Sequence, residues 1–114
     1  TLIIGGGNIQ LNSISQILGE FELLSCHFRM VADIVDRKDR LTVEVETIKP
    51  MDNVRGRELE QKIYERLLVE RHEFANFMKT GSIHPPVIKV VAPDSLPRNP
   101  RTGKLKQVID NRHA

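Results

Sequence analysis

Two β-type runs stand on either side of a short polar segment between Ser25 and Glu46, and this arrangement restricts the fold more than any other feature of the chain. Leu41-Thr42-Val43-Glu44-Val45-Glu46 alternates strictly, which predicts a strand with Leu41, Val43 and Val45 inward and Thr42, Glu44 and Glu46 outward. Residues 25–35 also favour a strand. Phe28, Met30, Ala32 and Ile34 share one face, and Arg29, Val31, Asp33 and Val35 form a mixed opposite face. Asp36-Arg37-Lys38-Asp39-Arg40 between them reads as a polar loop, so the pair predicts an antiparallel hairpin. A hairpin with one apolar face is marginal in water until something covers that face.

The covering elements are readable on both sides. Leu2-Ile3-Ile4 predicts a short strand, with Gly5-Gly6-Gly7 as a tight turn leading from strand to helix. Ile14, Ile17, Leu18 and Phe21 then follow the stripe of a short amphipathic helix, with Ser13 and Gln16 as a capping box and Asn12 as an alternative cap. Lys49-Pro50 ends the hairpin. A single long helix is predicted over residues 55–79, with Leu59, Ile63, Leu67, Phe74 and Met78 on one stripe, Leu68 beside it, and Glu58 and Lys62 as an i, i+4 pair on the wet side. Thr80-Gly81-Ser82 closes it and Pro85-Pro86 forbids its continuation. Val87-Ile88-Lys89-Val90-Val91 predicts the last strand. The order β-α-β-β-α-β implies an α+β fold: a small, mainly antiparallel or mixed sheet with helices on one face, in one domain over residues 1–114, followed by an extended C-terminal loop.

Composition removes several classes of function. A chain of 114 residues supports one modest core. The absence of Trp and the single Tyr argue against a base-stacking surface. One cysteine, Cys26, cannot form an internal disulfide, which fits a reducing, cytoplasmic setting. No apolar run approaches a membrane span and no signal peptide opens the sequence. Thr1 leads straight into an apolar run, as in a fragment or excised domain, although removal of an initiator would look the same.

Familiar motifs fail when their spacing is checked. Gly5-x-Gly7 is followed by Gln10 where a dinucleotide fingerprint needs a third glycine. Gly103-Lys104 lacks the upstream glycine and the following Ser or Thr of a phosphate-binding loop. His72-Glu73 would need a second histidine at the position of Asn76, and His27, His84 and His113 show no ligand spacing with Cys26 or each other, so no metal site is expected. Cys26 reads as a small buried hydrophobe.

The C-terminal segment is different. From Arg98 to Arg112 there are five positive side chains against one negative, while the chain as a whole carries +2. Taken as charge alone, the segment is a solvated basic loop or a patch for a polyanion. Its order points elsewhere: after a strand, Leu96-Pro97-Arg98-Asn99-Pro100 leads to Arg101-Thr102-Gly103-Lys104, one ammonium on a flexible stem beside a glycine. A reaction that develops negative charge between a carboxylate and a phosphate needs such a group.

With these residues in view, the chain resembles the small C-terminal domain of adenylate-forming ligases, in the branch of phenylacetate–CoA ligase and its deazaflavin-adenylylating relatives. The resemblance covers nearly the whole chain. It is carried by Gly6-Gly7-Asn8-Ile9, by Leu41 to Glu46, and by Asp94-Ser95-Leu96-Pro97-Arg98 through Gly103-Lys104 to Val108-Ile109-Asp110. It implies a two-step reaction: an N-terminal domain binds ATP with Mg and a carboxylic acid, an acyl-adenylate forms, and after rotation of the small domain the acyl group passes to coenzyme A. In the first step the family's lysine falls on Lys104, with Arg101, Thr102 and Gly103 shaping its loop. In the second, the glycine turn falls on Gly6, Gly7 and Asn8 beside the pantetheine passage. Where the family commonly has a proline and an acidic residue after that turn, this sequence has Leu11 and Ser15. The resemblance further implies that the domain alone is inactive, that its partner is the N-terminal adenylation domain of the same chain, and that no cofactor belongs to this domain by itself. Alternatives are a relative that adenylylates without a thioester step, a ferredoxin-like module that binds RNA or another polyanion, and a ligand-sensing domain that dimerises through a sheet edge.

Overall fold

The structure, a computed structural model, describes every residue except Thr1, Gly5, Gly6, Arg71, His72, Ser82, Asn99, Lys104, Lys106, His113 and Ala114, and gives the backbone alone for Leu2–Ile4, Gly7, Asn8, Cys26, Glu73 and Phe74. Strands β1 (Leu2–Ile4) and β2 (Gly7–Ile9) pair antiparallel and lead into helix α1 (Leu11–Leu18). The long hairpin follows as β3 (Leu24–Val35) and β4 (Lys38–Thr47), then helices α2 (Asn53–Glu70) and α3 (Glu73–Lys79), strand β5 (Val87–Val91) and strand β6 (Val108–Asp110).

The hairpin organises the main sheet, whose order is β5-β4-β3-β6. Only its central pair is antiparallel, because β5 joins β4 and β6 joins β3 in parallel, so the sheet is mixed. The alternation in β4 does what it predicts on the inner side: Leu41, Val43 and Val45 are no more than 1% exposed and pack with Phe28, Met30 and Ala32. Helices cover this face. Ile14, Ile17 and Leu18 from α1 and Leu59, Ile63 and Leu67 from α2 complete the core, each such burial contributing about 1.5–3 kcal/mol.

Several expectations need correction. The polar segment 36–40 is not a five-residue loop. Asp36 (φ 51°) and Arg37 (φ 70°) form a two-residue turn with positive φ at both positions, a geometry whose twist matches the strands it joins. Lys38, Asp39 and Arg40 therefore belong to β4, and Lys38 and Arg40 share the outer face with Thr42 and Glu44, where Arg40 pairs with Asp33 across the ladder. Gly7 likewise lies in a strand rather than in a turn into the helix, paired with Ile4. Helix α1 starts at Leu11, one residue past Ile9, which is fully buried. Gln10 is its N-cap, without a side-chain cap bond, and Asn12 and Ser13 lie within the helix. The anchored strand end and the buried stripe set the start of this helix, overriding the capping signal.

The single helix expected over 55–79 is two elements. A straight helix over that span would run about 37 Å, nearly the longest extent of the molecule, 38 Å. Division into α2 and α3 lets Phe77 and Met78 still pack against the core. The start of α2 lies at Asn53 because Asp52 Oδ1 accepts the Arg55 N–H at 2.8 Å. At the other end Gly81, at φ 77°, closes α3 as expected, its N–H donating to the Met78 carbonyl. Finally, Thr42 and Glu46, expected outward and wet, are buried. The outer face of β4 is covered near its end by the segment that follows β5.

Candidate functional site

The segment between β5 and β6 is fastened to the sheet at its base and exposed at its tip. Glu46, near the end of β4, is the anchor. Its side chain is 2% exposed. Oε1 accepts the Asp94 N–H at 3.1 Å, Oε2 accepts the Leu96 N–H at 3.0 Å, and the Arg98 guanidinium donates to both oxygens at 3.2 and 3.4 Å. Leu96 is buried beside this carboxylate contact. Asp94 holds a positive φ of 61°, and its carboxylate stands 3.5 Å from Arg98 Nη1. His27 Nδ1, on β3, lies 3.6 Å from Glu46 Oε1.

Burial pushes the Glu46 carboxyl upward, but the Leu96 and Asp94 N–H groups and the Arg98 guanidinium outweigh it. The group is held below the usual carboxylate range. A charge in so dry a place is tolerable only because both oxygens are occupied by donors.

Beyond Arg98 the chain turns out and back. Arg98 and Leu105 face each other in an antiparallel bridge, which closes the loop at its neck. Arg101, Thr102 and Gly103 lie exposed within it, and Gly103 has φ 68°, a conformation that glycine adopts without steric cost. After the neck, Met30 N donates to the Gln107 carbonyl at 2.7 Å and Asn111 N donates to the Ala32 carbonyl at 2.8 Å, so the returning chain is taken up by β3. Lys104, the residue singled out in the sequence, lies outside the described residues.

The second expected site is elsewhere. Gly7 and Asn8 sit in β2, in the small two-stranded sheet, and Gly6 lies outside the described residues. The fold thus brings Arg101, Thr102 and Gly103 together on one loop and places Gly7 and Asn8 in a different sheet. Among the described residues no group of three or more His, Cys, Asp or Glu could hold a metal ion, and no helix is long and apolar enough to cross a membrane. The polar face of the hairpin carries the ion pairs Arg29–Glu44 and Arg40–Asp33.

Glu46 and Arg98 were not marked as site residues by the sequence. Glu46 occupies an outward position in an alternating strand, and Arg98 counts there as one charge among five. They are separated by fifty-two residues, and no local spacing links them.

The chain matches the family described as AMP-binding enzyme C-terminal domain over residues 6–112. Among solved structures it is similar to a domain of phenylacetate-coenzyme A ligase from Bacteroides vulgatus ATCC 8482, at 25% identity and a TM-score of 0.68, with 97% of this chain and 92% of that one covered. It is similar in fold to 2-hydroxyisobutyryl-CoA ligase in complex with 2-HIB-AMP and CoA in the thioesterification state, at 20% identity and a TM-score of 0.72, covering 98% of this chain and 21% of that one. The same ligase in the postadenylation state with 2-HIB-AMP gives 22% identity and a TM-score of 0.61, with 97% and 21% covered. The chain thus spans about a fifth of the length of that ligase. Comparison with curated proteins found no match.

Proposed function

From the premise that the chain belongs to the AMP-binding enzyme C-terminal domain family, we propose that it is the mobile C-terminal domain of an ATP-dependent acyl- or aryl-CoA ligase. The observation that carries this reading is the family match, which extends over nearly the whole chain. The domain would work with an N-terminal adenylation domain of the same protein, which would bind ATP, Mg and the carboxylic acid. The carboxylate attacks the α-phosphate, pyrophosphate leaves, and the acyl-adenylate then yields its acyl group to the thiol of coenzyme A with release of AMP.

Lys104 is the residue proposed to serve the first step. As two anionic groups approach one another, an ammonium fixed beside them lowers the barrier by offsetting charge that develops between them. The neck at Arg98 and Leu105 supports this reading, because Arg101, Thr102 and Gly103, which lie between its two sides in the chain, are exposed. Gly6, Gly7 and Asn8 are proposed for the second step, where the missing Cβ of the two glycines lets the narrow pantetheine arm pass close to the backbone. Use of the two sites in turn requires the domain to rotate between steps, each orientation completing a different site.

The test is made in the full-length protein. Lys104→Ala should lower adenylate formation, followed by pyrophosphate exchange, by about a hundredfold, while transfer from a supplied acyl-adenylate to coenzyme A persists. Exchange at the parental rate in that variant would remove the role given to Lys104. Adenylate formation without any transfer to coenzyme A in the parental protein would identify an adenylylating relative instead.

A further inference from the structure

We infer that Glu46 is a positioning residue for adenylate formation, acting through Arg98 and the backbone of residues 94–96 on the loop that leads to Lys104. The inference rests on the reading of Lys104 given above. Its physical basis is the direction of the Glu46 contacts. The Asp94 N–H, the Leu96 N–H and the Arg98 guanidinium all come from one stretch of five residues, and that stretch is the upstream base of the loop. Arg98 is also the bridge partner of Leu105, the residue that follows Lys104 in the chain. One carboxylate therefore fixes the backbone entering the loop and, through the bridge, the backbone leaving it.

Stability alone gives little reason for such an arrangement. Replacing a buried ion pair by apolar side chains of similar volume is often neutral or stabilising. Direction is what the charged arrangement adds: two oxygens and a planar guanidinium define an orientation that apolar packing would leave loose. A point charge that acts on a transition state is sensitive to orientation, since a displacement of about 1 Å at such a group can cost on the order of a hundredfold in rate.

Glu46→Gln retains the volume but removes the charge and replaces one acceptor oxygen by a donor facing donors. Arg98→Met keeps an apolar stem and removes the guanidinium. In the full-length protein both variants should lower pyrophosphate exchange by about tenfold or more. Transfer from a supplied acyl-adenylate to coenzyme A should stay within about twofold of the parent, since the proposed role of Lys104 confines the loop to the first step. A role confined to holding the fold would depress both half-reactions together, and that result would overturn the inference. Arg98, part-exposed on the loop itself, decides the matter should Glu46→Gln fail to fold. Combining Arg98→Met with Lys104→Ala should cost little beyond Lys104→Ala alone, because one acts through the other. If Lys104→Ala cripples exchange while Glu46→Gln and Arg98→Met leave it intact, the inference fails and the reading of Lys104 stands. If Lys104→Ala itself leaves exchange intact, both fall.

Discussion

The guanidinium of Arg112 lies 3.2 Å from Asp39 Oδ2, joining positions seventy-three residues apart. Asp39 stands near the start of β4, and Arg112 follows β6. Arg112 also pairs with Asp110, Nε to Oδ1 at 2.9 Å and Nη2 to Oδ2 at 2.8 Å. The Glu46 contact holds the upstream base of the loop. The Arg112 contact secures the chain after the loop has returned. Strand β6 has only three residues, Val108–Asp110, too short a ladder to rely on its backbone pairing alone.

Arg112→Ala should therefore lower the unfolding free energy by about 1–2 kcal/mol, the scale of a charge-assisted hydrogen bond that is largely shielded from water. Urea denaturation measures it. A double-mutant cycle with Asp39→Ala should return a coupling of at least about 0.5 kcal/mol. Strict additivity would show that the pair contributes nothing to holding the strand.

Acid should loosen the upstream anchor. Because Glu46 is held below its ordinary value in the folded chain, its contribution is present above the unfolded-state pKa of about 4.3. It is lost as pH falls through the lower folded value. The titratable and charged groups that face it are Arg98, Asp94 and His27, and discharge of Glu46 removes the buried partner of the Arg98 guanidinium at the base of the loop. Thermal melting across the acid range should show stability declining below about pH 4.3, and Glu46→Gln should flatten that decline while lowering stability near neutral pH. An equally steep acid limb in the variant would assign the decline to other carboxylates.

How much of this was legible depended on whether the cause was local. Leu41, Val43 and Val45 declare their face by alternation, and the stripe Leu59, Ile63 and Leu67 declares a helix face; all six are buried where the pattern places them. The turn at Asp36 and Arg37 misled because Arg37 stands where a two-residue turn with positive φ usually carries glycine. Glu46 misled for a different reason. Alternation tells which side of a sheet a residue takes, but not whether a segment fifty residues later covers that side. The basic character of the loop was visible in composition, whereas its fastening is a long-range pairing that no spacing encodes.

The turn itself gives a stability prediction. Arg37 holds φ at 70°, a region that costs a non-glycine residue roughly 1–2 kcal/mol, and its side chain is exposed, so its removal uncovers no core. Arg37→Gly should raise stability by about 0.5–1 kcal/mol after the entropy of a freer unfolded chain is subtracted. Chemical denaturation of the domain and its variant would show the gain. A loss instead would mean that the Arg37 side chain supports the hairpin by a contact worth more than the strain.

The same geometry at Gly103 should register in function more than in stability. At φ 68° the position suits glycine, yet a Cβ built there meets nothing within 4 Å, so the cost of a substitution is conformational and not steric. An exposed loop relieves such strain by shifting its backbone, moving whatever follows in the chain. Gly103→Ala should change unfolding free energy by no more than about 1–2 kcal/mol while lowering pyrophosphate exchange in the full-length protein by about tenfold. Gly103→Asn should fall between the parent and the alanine variant, because asparagine tolerates positive φ better than other side chains. The ranking glycine, asparagine, alanine in exchange rate, with transfer to coenzyme A unchanged in all three, would tie the backbone conformation beside Lys104 to the adenylation step. Equal rates across the series would mean that the loop's conformation at this point has no part in it.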